Sequence, residues 1–425
     1  MKSEKLRLLF VALIAGLIGY SLGTTKIDMA WKGFSPHVEV AGKEPPPSAI
    51  DADFSQMWTV LEKLEGTYYD KKAIDPQKLV NGAIEGMVAS LDDPYTVYLP
   101  PKQNTDFKDG MAGKFEGIGA ELGTKEKQVI IVAPLDGSPA QKAGLKSGDI
   151  IAKVNEDYIT GWSINKVVDK IRGPKGTEVL LTVVRSGEQE PKEVKITRDT
   201  ITVKSLTSWI KPVKEVEKIQ AKSETLKNAA DQQLAYIRLS QFGDSTNAEW
   251  SQVAADIDRK LQADPNIKGV VFDLRNNPGG YLGDAVYIAS EFVSDGTAVM
   301  QEDKNAEQTK FPVSGNGLLT DVPIVVLINK GSASASEIVA GALRDHNRAL
   351  LVGETSFGKG TIQQAEDLGG GSGLHVTIAK WLTPEGIWVH KNGLKPDVEV
   401  AVDKENPEHD AQLEKAIETL LDGEN

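Results

Sequence analysis

The sequence has no cysteine among its 425 residues. That excludes disulfides, thiol nucleophiles and cysteine-ligated zinc, and it removes any redox clue to the compartment. Histidine is scarce: there are five, and none stands in an H-E-x-x-H pattern, so metal-dependent hydrolysis has no motif to rest on. Basic charge is also in deficit. The formal net charge is −13, and a general affinity for nucleic acid is not expected. Hydrophobic residues at 40% and charged residues at 26% describe a globular chain, long enough for two or three domains.

Only one uncharged run is long enough to concern a membrane. Lys2, Lys5 and Arg7 precede a stretch from Leu8 to Thr25, at the boundary between a signal-peptide core and a short span. The nearest small-residue cleavage match is Ser21-Leu22-Gly23. Residues 1–25 are therefore expected to be a signal anchor or a signal peptide, the uncleaved anchor with its basic end in the cytoplasm being the reading favoured. The rest of the chain would then lie in the cell envelope, on the extracytoplasmic side. Residues 26–50, with Pro36 and Pro45-Pro46-Pro47, read as a linker. Residues 51–102 read as a small helical unit, with helices over 54–69 and 76–91 and a stop at Asp92-Asp93-Pro94-Tyr95. That unit carries no chemistry, and packing or self-association into a homo-oligomer is its expected role.

From residue 103 to 200 the pattern changes to short strands and close turns. Phe115-Glu-Gly-Ile-Gly-Ala-Glu-Leu122 reads as a strand with a glycine loop, followed by strands over 129–132 and 148–154. Helices are expected at 138–145 and 164–171, and strands at 178–185 and 193–198 complete the set. This order resembles a PDZ domain of the bacterial protease type, and Gly148-Asp149-Ile150-Ile151 is its most specific piece. The resemblance implies that a C-terminal peptide adds as a strand, its carboxylate held by the amides of Gly117, Ile118 and Gly119. A plain small β domain is the competing reading.

Residues 201–425 read as an α/β core in which strands and helices alternate. The Lys- and Glu-rich stretch at 211–233 is expected as an exposed excursion. Val270-Val-Phe-Asp-Leu274 runs into Arg275-Asn-Asn-Pro-Gly-Gly280, and Pro323-Ile-Val-Val-Leu-Ile-Asn329 runs into Gly331-Ser332-Ala333-Ser334-Ala335-Ser336-Glu337. The two strand-to-helix turns are expected at one end of one sheet, where open α/β folds build sites. Serines separated by alanines can present a hydroxyl at the positive end of a helix. An ordinary N-cap competes, and Ser336 suits it.

The second basic element is Lys359, held between Gly358 and Gly360. A lysine in a dry pocket loses its proton near neutral pH and can serve as base to a serine. A solvated turn lysine is the competing reading. Gly353-x-x-x-x-Gly358-Lys359 misses a P-loop by one residue, since Gly360 stands where the magnesium-binding Ser or Thr is required, and nucleotide binding is rejected. His346 falls about 18 Å along the helix from Ser334 at about 1.5 Å per residue, too far for contact.

Together these motifs resemble the carboxyl-terminal processing proteases, tail-specific serine–lysine endopeptidases with an embedded PDZ domain. The similarity runs from about Phe54 to the C-terminus. It includes Leu91-Asp-Asp-Pro-Tyr95, Asp273-Leu-Arg-Asn-Asn-Pro-Gly-Gly280, the serine stretch, Phe357-Gly-Lys-Gly-Thr-Ile-Gln363, Thr383-Pro384, Gly393-Leu-Lys-Pro-Asp397 and Gln412-Leu-Glu-Lys415. The resemblance implies Ser334 as nucleophile, Lys359 as base and Gln363 as the residue that orients the lysine. It implies an oxyanion hole from the amides of Ala335 and of Gly280 or Gly279. Protein substrates would be taken by their C-terminal tails, and neither metal nor cofactor is needed. It also implies a PDZ domain that covers the site when empty. Arg172 then couples occupancy to catalysis, unless it is a plain helix cap. The departures are the stretch 211–233 and the glycine loop Gly369-Gly-Gly-Ser-Gly373. A catalytically silent envelope scaffold is the alternative, and the intact Ser334, Lys359 and Gln363 set opposes it.

Overall fold

The computed structural model describes residues 27–32, 35–40, 55–125, 128–135, 137–185, 188, 190–403, 405–406 and 408–423. It divides into residues 1–79 and residues 80–425. In the first part, Ile27–Lys32 and Ser35–Val40 pair as an antiparallel hairpin, where the proline content suggests a plain linker. The helix Ser55–Thr67 follows. None of its residues is buried, and Met57, Trp58 and Leu64 are exposed. The anchor expected at residues 1–25 lies outside the described residues. Among those described, no helix is long and apolar enough to cross a membrane.

Residues 80–425 are built on a six-stranded sheet. Its order is Leu206–Pro212, Gln233–Leu239, Ile267–Asp273, Ile324–Ile328, Leu350–Gly353 and Val398–Glu399. Every neighbouring pair is parallel except the first. A parallel sheet covered on both faces needs strands that are apolar at every position, and Ile324-Val-Val-Leu-Ile328 is buried throughout. The helices Thr246–Ala263, Leu282–Phe292 and Ala335–Asp345 (the serine helix) cover one face. The terminal helix Ala411–Asp422 covers the other. Trp250, Phe272 and Phe292 knit the first layer, with ring centroids 5.2 to 5.7 Å apart. Truncating such an aromatic to alanine costs about 3–5 kcal/mol.

The stretch 211–233 is not an exposed excursion. Its first residues complete the edge strand Leu206–Pro212, and Val213, Val216 and Leu226 are buried with Leu413, Ile417 and Leu420 of the terminal helix. The surrounding lysines and glutamates hide an apolar set that follows neither the helical nor the strand period.

A second sheet holds Gln308–Pro312, Thr297–Asp303, Ser372–Leu382 and Thr361–Gly369, with Val97–Leu99 beside Ser372–Leu382. Thr361–Gly369 and Ser372–Leu382 form a long hairpin, and the glycine loop is its tip.

The inserted β-rich domain has its own sheet, ordered Lys192–Thr197, Glu178–Val184, Ile150–Val154, Gln128–Pro134 and Ala120–Lys125. It also has its own core around Ile131, Val154 and Leu181. The helix Pro101–Met111 (the arm helix) precedes it and packs on the long hairpin instead. Asn104 Nδ2 donates to Gly371 O at 2.9 Å, and Phe107 meets the His375 ring edge-on at 4.5 Å. The domain begins at Lys114–Gly117, which pairs with the departing strand Asp199–Thr202. The two chain crossings run side by side, since Val203 N donates to Gly113 O at 2.8 Å.

Candidate active site

Ile267–Asp273 and Ile324–Ile328 are parallel neighbours, so the turns that follow them meet at one edge of the sheet. The three serines of the second turn have different fates. Ser332 Oγ donates to Leu274 O at 2.8 Å, and Ser336 Oγ donates to Asn277 O at 2.8 Å; both residues are fully buried. Ser336 therefore lies inside the serine helix and is not its cap. The cap is Ser334, at φ 55° and ψ −114°. A non-glycine residue in that region is strained by about 1–3 kcal/mol, and such strain persists only where the surroundings over-determine it. Here they do, because the side chain of Glu337, in the first turn of the helix, accepts from Ser334 N. The Ser334 side chain itself makes no cap hydrogen bond, so its hydroxyl is left for other chemistry.

Glu337 does more than cap. One carboxylate oxygen accepts from Ser334 N at 2.8 Å and Lys359 N at 2.9 Å. The other accepts from Ser356 Oγ and Gly358 N, both at 2.6 Å. A fully buried carboxylate thus staples the serine turn to the lysine loop. Burial lifts its carboxyl above the ordinary range, against the pull of those four donors. The sequence carried a signal for this role in Ser334-Ala-Ser-Glu337, the S-x-x-E spacing of a capping box, which the motif reading passed over.

Lys359 is clamped through its main chain. Trp381 Nε1 donates to Lys359 O, and Trp388 Nε1 donates to Gly360 O, both at 2.8 Å. A Cβ at Gly360 would stand 2.7 Å from that Trp388 nitrogen, which is why glycine is needed there. The Nζ lies 5.1 Å from the Tyr95 ring centroid. Burial pushes its pKa below the ordinary lysine value, and the charges of Asp93 and Glu337 oppose the shift only in part. The lysine is therefore not a solvated turn residue.

Ser334, Lys359 and Gln363 line one cavity of about 380 Å³, together with Gly279 and Gly280. Gln363 Nε2 donates to Thr361 Oγ1 at 2.9 Å and to Thr377 Oγ1 at 3.1 Å. The two glycines separate in role. Gly279 N is spent on Asn277 Oδ1 at 2.9 Å, so it is not a free donor. Its missing side chain lets the backbone approach the serine turn, where a Cβ would lie 2.8 Å from Ser334 Cβ and 2.9 Å from Ala335 N. His375 also lines the cavity, a residue whose position the sequence left open. Burial, aided by the charge of Lys359, holds its imidazole below the ordinary histidine range.

A second concavity of about 270 Å³ lies in the inserted domain, between Gly117–Ile118–Gly119 and the helix Ile164–Ile171. The carbonyls of Ile118 and Gly119 accept from Ala140 N and Leu135 N inside the domain. Leu122, Val168 and Ile201 make its walls apolar. Arg172 borders it. Its backbone caps the helix through a bond to Val168 O, while its guanidinium lies 5.0 Å from the Phe115 ring centroid.

Residues 233–400 match the model of peptidase family S41. Residues 130–185 match a PDZ domain, and residues 30–103 match the N-terminal domain of the activating protease CtpB. The carboxy-terminal processing protease CtpA of Bacillus subtilis (strain 168) is 36% identical over 396 residues, which cover 93% of this chain and 77% of that one. A Staphylococcus aureus protein (strain N315) named as a CtpA-like serine protease is 38% identical over 83% of this chain, which spans 66% of its length, just short of two thirds. Among solved structures, the photosystem II D1 C-terminal processing protease aligns with a TM-score of 0.50 at 32% identity, over 82% of this chain and 92% of that one. The family match over 233–400 contains the strained serine turn and the lysine loop, and the PDZ match lies within the inserted domain. The chain belongs to peptidase family S41, and it is a serine protease of the carboxy-terminal processing type with a PDZ domain inserted in its sequence.

Proposed function

We propose that Ser334 is the nucleophile and Lys359 the general base of an acyl-enzyme endopeptidase, one that cuts exported proteins upstream of tails held in the Gly117–Gly119 groove. The observation that carries this reading is the contrast among the serines. Two have spent their protons on backbone carbonyls, and Ser334 keeps its own in a cavity shared with a desolvated lysine. In the first step neutral Nζ takes the Oγ proton as Oγ bonds to the peptide carbonyl carbon. The carbonyl oxygen becomes an oxyanion between the amides of Ala335 and Gly280, the donors left once Gly279 is spent. Collapse breaks the C–N bond, and the lysine ammonium returns its proton to the leaving amine. Water then gives a proton to Nζ as its oxygen bonds to the acyl carbon; the C–Oγ bond breaks, and the ammonium returns that proton to Ser334 Oγ. Gln363 keeps the lysine aimed.

The apolar groove suits an apolar last residue, with its carboxylate on the loop amides. Relatives named for carboxy-terminal processing support tail recognition. The basic residues before Leu8–Thr25 support export and a tether to the membrane. The test is direct. Wild-type protein should be labelled by a serine-directed probe at Ser334 and should shorten a protein ending in an apolar tail, read by mass spectrometry. Ser334→Ala and Lys359→Ala should each lower turnover by about 10³-fold or more. Retained turnover in Ser334→Ala, with loss in Ser332→Ala or Ser336→Ala, would reject the assignment.

A further inference from the structure

The Asp92-Asp93-Pro94-Tyr95 turn has no part in the reaction above, yet it borders Lys359. Its Tyr95 ring is the surface over which Nζ lies. Its Asp93 carboxylate is half-buried and held on several sides. Thr96 Oγ1 donates to it at 2.7 Å and Tyr95 N at 3.1 Å, and the nearby Thr377 hydroxyl helps to hold its pKa down. Burial alone would raise this carboxyl, but the hydroxyls of Thr377 and Thr96 outweigh it and leave the group below its ordinary value, hence ionised. Thr377 N donates to Thr96 Oγ1 at 3.0 Å, which fastens the turn to the long hairpin.

The proton inventory then decides the rest. A hydroxyl has one proton, and an ionised carboxylate can only accept, so Thr377 gives its proton to Asp93. Only its lone pairs remain for Gln363, which must meet them with its NH₂ group, as the 3.1 Å bond requires. Thr361 Oγ1 accepts from the same nitrogen at 2.9 Å. The amide cannot turn over without setting its oxygen against two hydroxyl oxygens, one of which has no proton to offer. With the nitrogen fixed on the hairpin threonines, Oε1 is the end left for the cavity that Gln363 shares with Lys359.

We propose that Asp93 is a positioning residue for Lys359: through Thr377 it fixes the Gln363 amide with its oxygen toward the lysine, and its turn supplies the aromatic surface beneath Nζ. The inference rests on the Ser334–Lys359 reading. Its chemical sense lies in the moment after proton transfer. The new ammonium is then desolvated and gains Oε1 as acceptor, the Tyr95 face and the nearby negative charge of Asp93. The charged and titratable groups around Lys359 are Asp93, Glu337, Tyr95 and His375. The His390 ring lies near them, edge-on to Tyr95 at 6.2 Å. Asp93 and Glu337 both favour the ammonium against burial.

The experiment follows kcat/KM against pH for the full chain and for Asp93→Asn, Thr377→Val and Thr377→Ser. Asp93→Asn should lower the plateau about tenfold and move the rising limb to lower pH, because a charge that favours the ammonium is gone. Thr377→Val should lower kcat by a similar factor with the limb unmoved, since Asp93 keeps its charge, and Thr377→Ser should restore the rate. A wild-type plateau in either Asp93→Asn or Thr377→Val overturns the proposal, and so does a slow Asp93→Asn whose limb stays in place. If Asp93→Asn does not fold, the Thr377 pair decides alone. Failure of the underlying reading looks different: Ser334→Ala would stay active, or wild type would leave Ser334 unlabelled.

Discussion

The cavity at Ser334 and the groove at Gly117–Gly119 are built on opposite principles. Around Ser334 nearly every polar group is committed to another. Glu337 binds four donors, Ser332 and Ser336 bond backbone carbonyls, and Asn277 holds Gly279. The groove is bounded by apolar side chains and a glycine loop, with Ile201 of the departing strand leaning in. A Cβ at Gly119 would stand 2.8 Å from Ile201 Cδ1. Its domain joins the core through two adjacent crossings at Gly113 and Val203. Chemistry that needs a nucleophile set to a fraction of an ångström is given a cross-braced frame. On the proposed reading, variable tails would meet an apolar surface, with the backbone supplying whatever specificity all carboxylates share.

Removing the brace should break this contrast most sharply. Glu337→Gln keeps one acceptor of the clamp and turns the other into an NH₂ group facing backbone and hydroxyl donors. A buried donor set against donors costs about 1–3 kcal/mol, and misplacement at a reacting centre adds to that. The expected outcome is a fall in kcat/KM of about 10²–10³-fold, with unchanged binding of a tail peptide to the groove. Kinetics and calorimetry on the same preparation check it. Activity within about threefold of wild type would mean that the clamp does not hold the site.

Much of this frame was legible in advance, and the reasons differ residue by residue. The continuous apolar run at residues 323–328 and the serine–alanine spacing marked the strand and the helix, and the parallel sheet brought both turns to one edge. What spacing could not supply was the choice among three serines, because it depends on which hydroxyls find a carbonyl across the turn. Motif residues were also misleading as to role. Asp273 and Arg275, in the stretch that ends at Gly280, are spent on each other and on Asp410, which pins the terminal helix. Asp149 of the Gly148-Asp149 pair binds Arg185 within its own domain. The buried residues of 211–233 escaped notice because charge dominates composition there while burial is decided by a few side chains.

The second way to sharpen the comparison is pH, since only the braced site should respond to it. Burial lowers the pKa of Lys359, and under the proposed mechanism it must be neutral to accept the serine proton. Activity is therefore lost as pH falls through that depressed value and is complete above it. On the acid side, kcat/KM should drop about tenfold per unit, while tail-peptide affinity stays flat over the same range. The full pH profile of both quantities checks this. A rate still climbing at about 10.4, the ordinary lysine value, would reveal an unperturbed lysine and count against its role as base.

The smallest expected effect lies where the two regions meet, at Arg172. Its backbone amide caps the helix Ile164–Ile171, a role that any residue can fill. Its side chain is less generic. It runs past Gly117, where a Cβ would be 3.9 Å from its Cγ, and reaches the Phe115 face. On its far side a polar crevice of about 660 Å³, with Asp106 and Asp109 of the arm helix on its wall, separates the domain from the core. The same arm helix carries Phe107 and Met111 into the wall of the cavity at Ser334. A guanidinium at this point can feel both groove occupancy and arm position, but an exposed cation–π contact is worth only about 0.5–1 kcal/mol. Arg172→Ala should accordingly lower cleavage of a tailed substrate by about two- to fivefold, while tail-peptide binding and cleavage of a tailless peptide change little. Alanine preserves the backbone cap, so the cap alone predicts no change. Equal rates for tailed and tailless substrates relative to wild type would therefore return Arg172 to that bland role, and a selective loss on the tailed one would make it the link between groove and cavity.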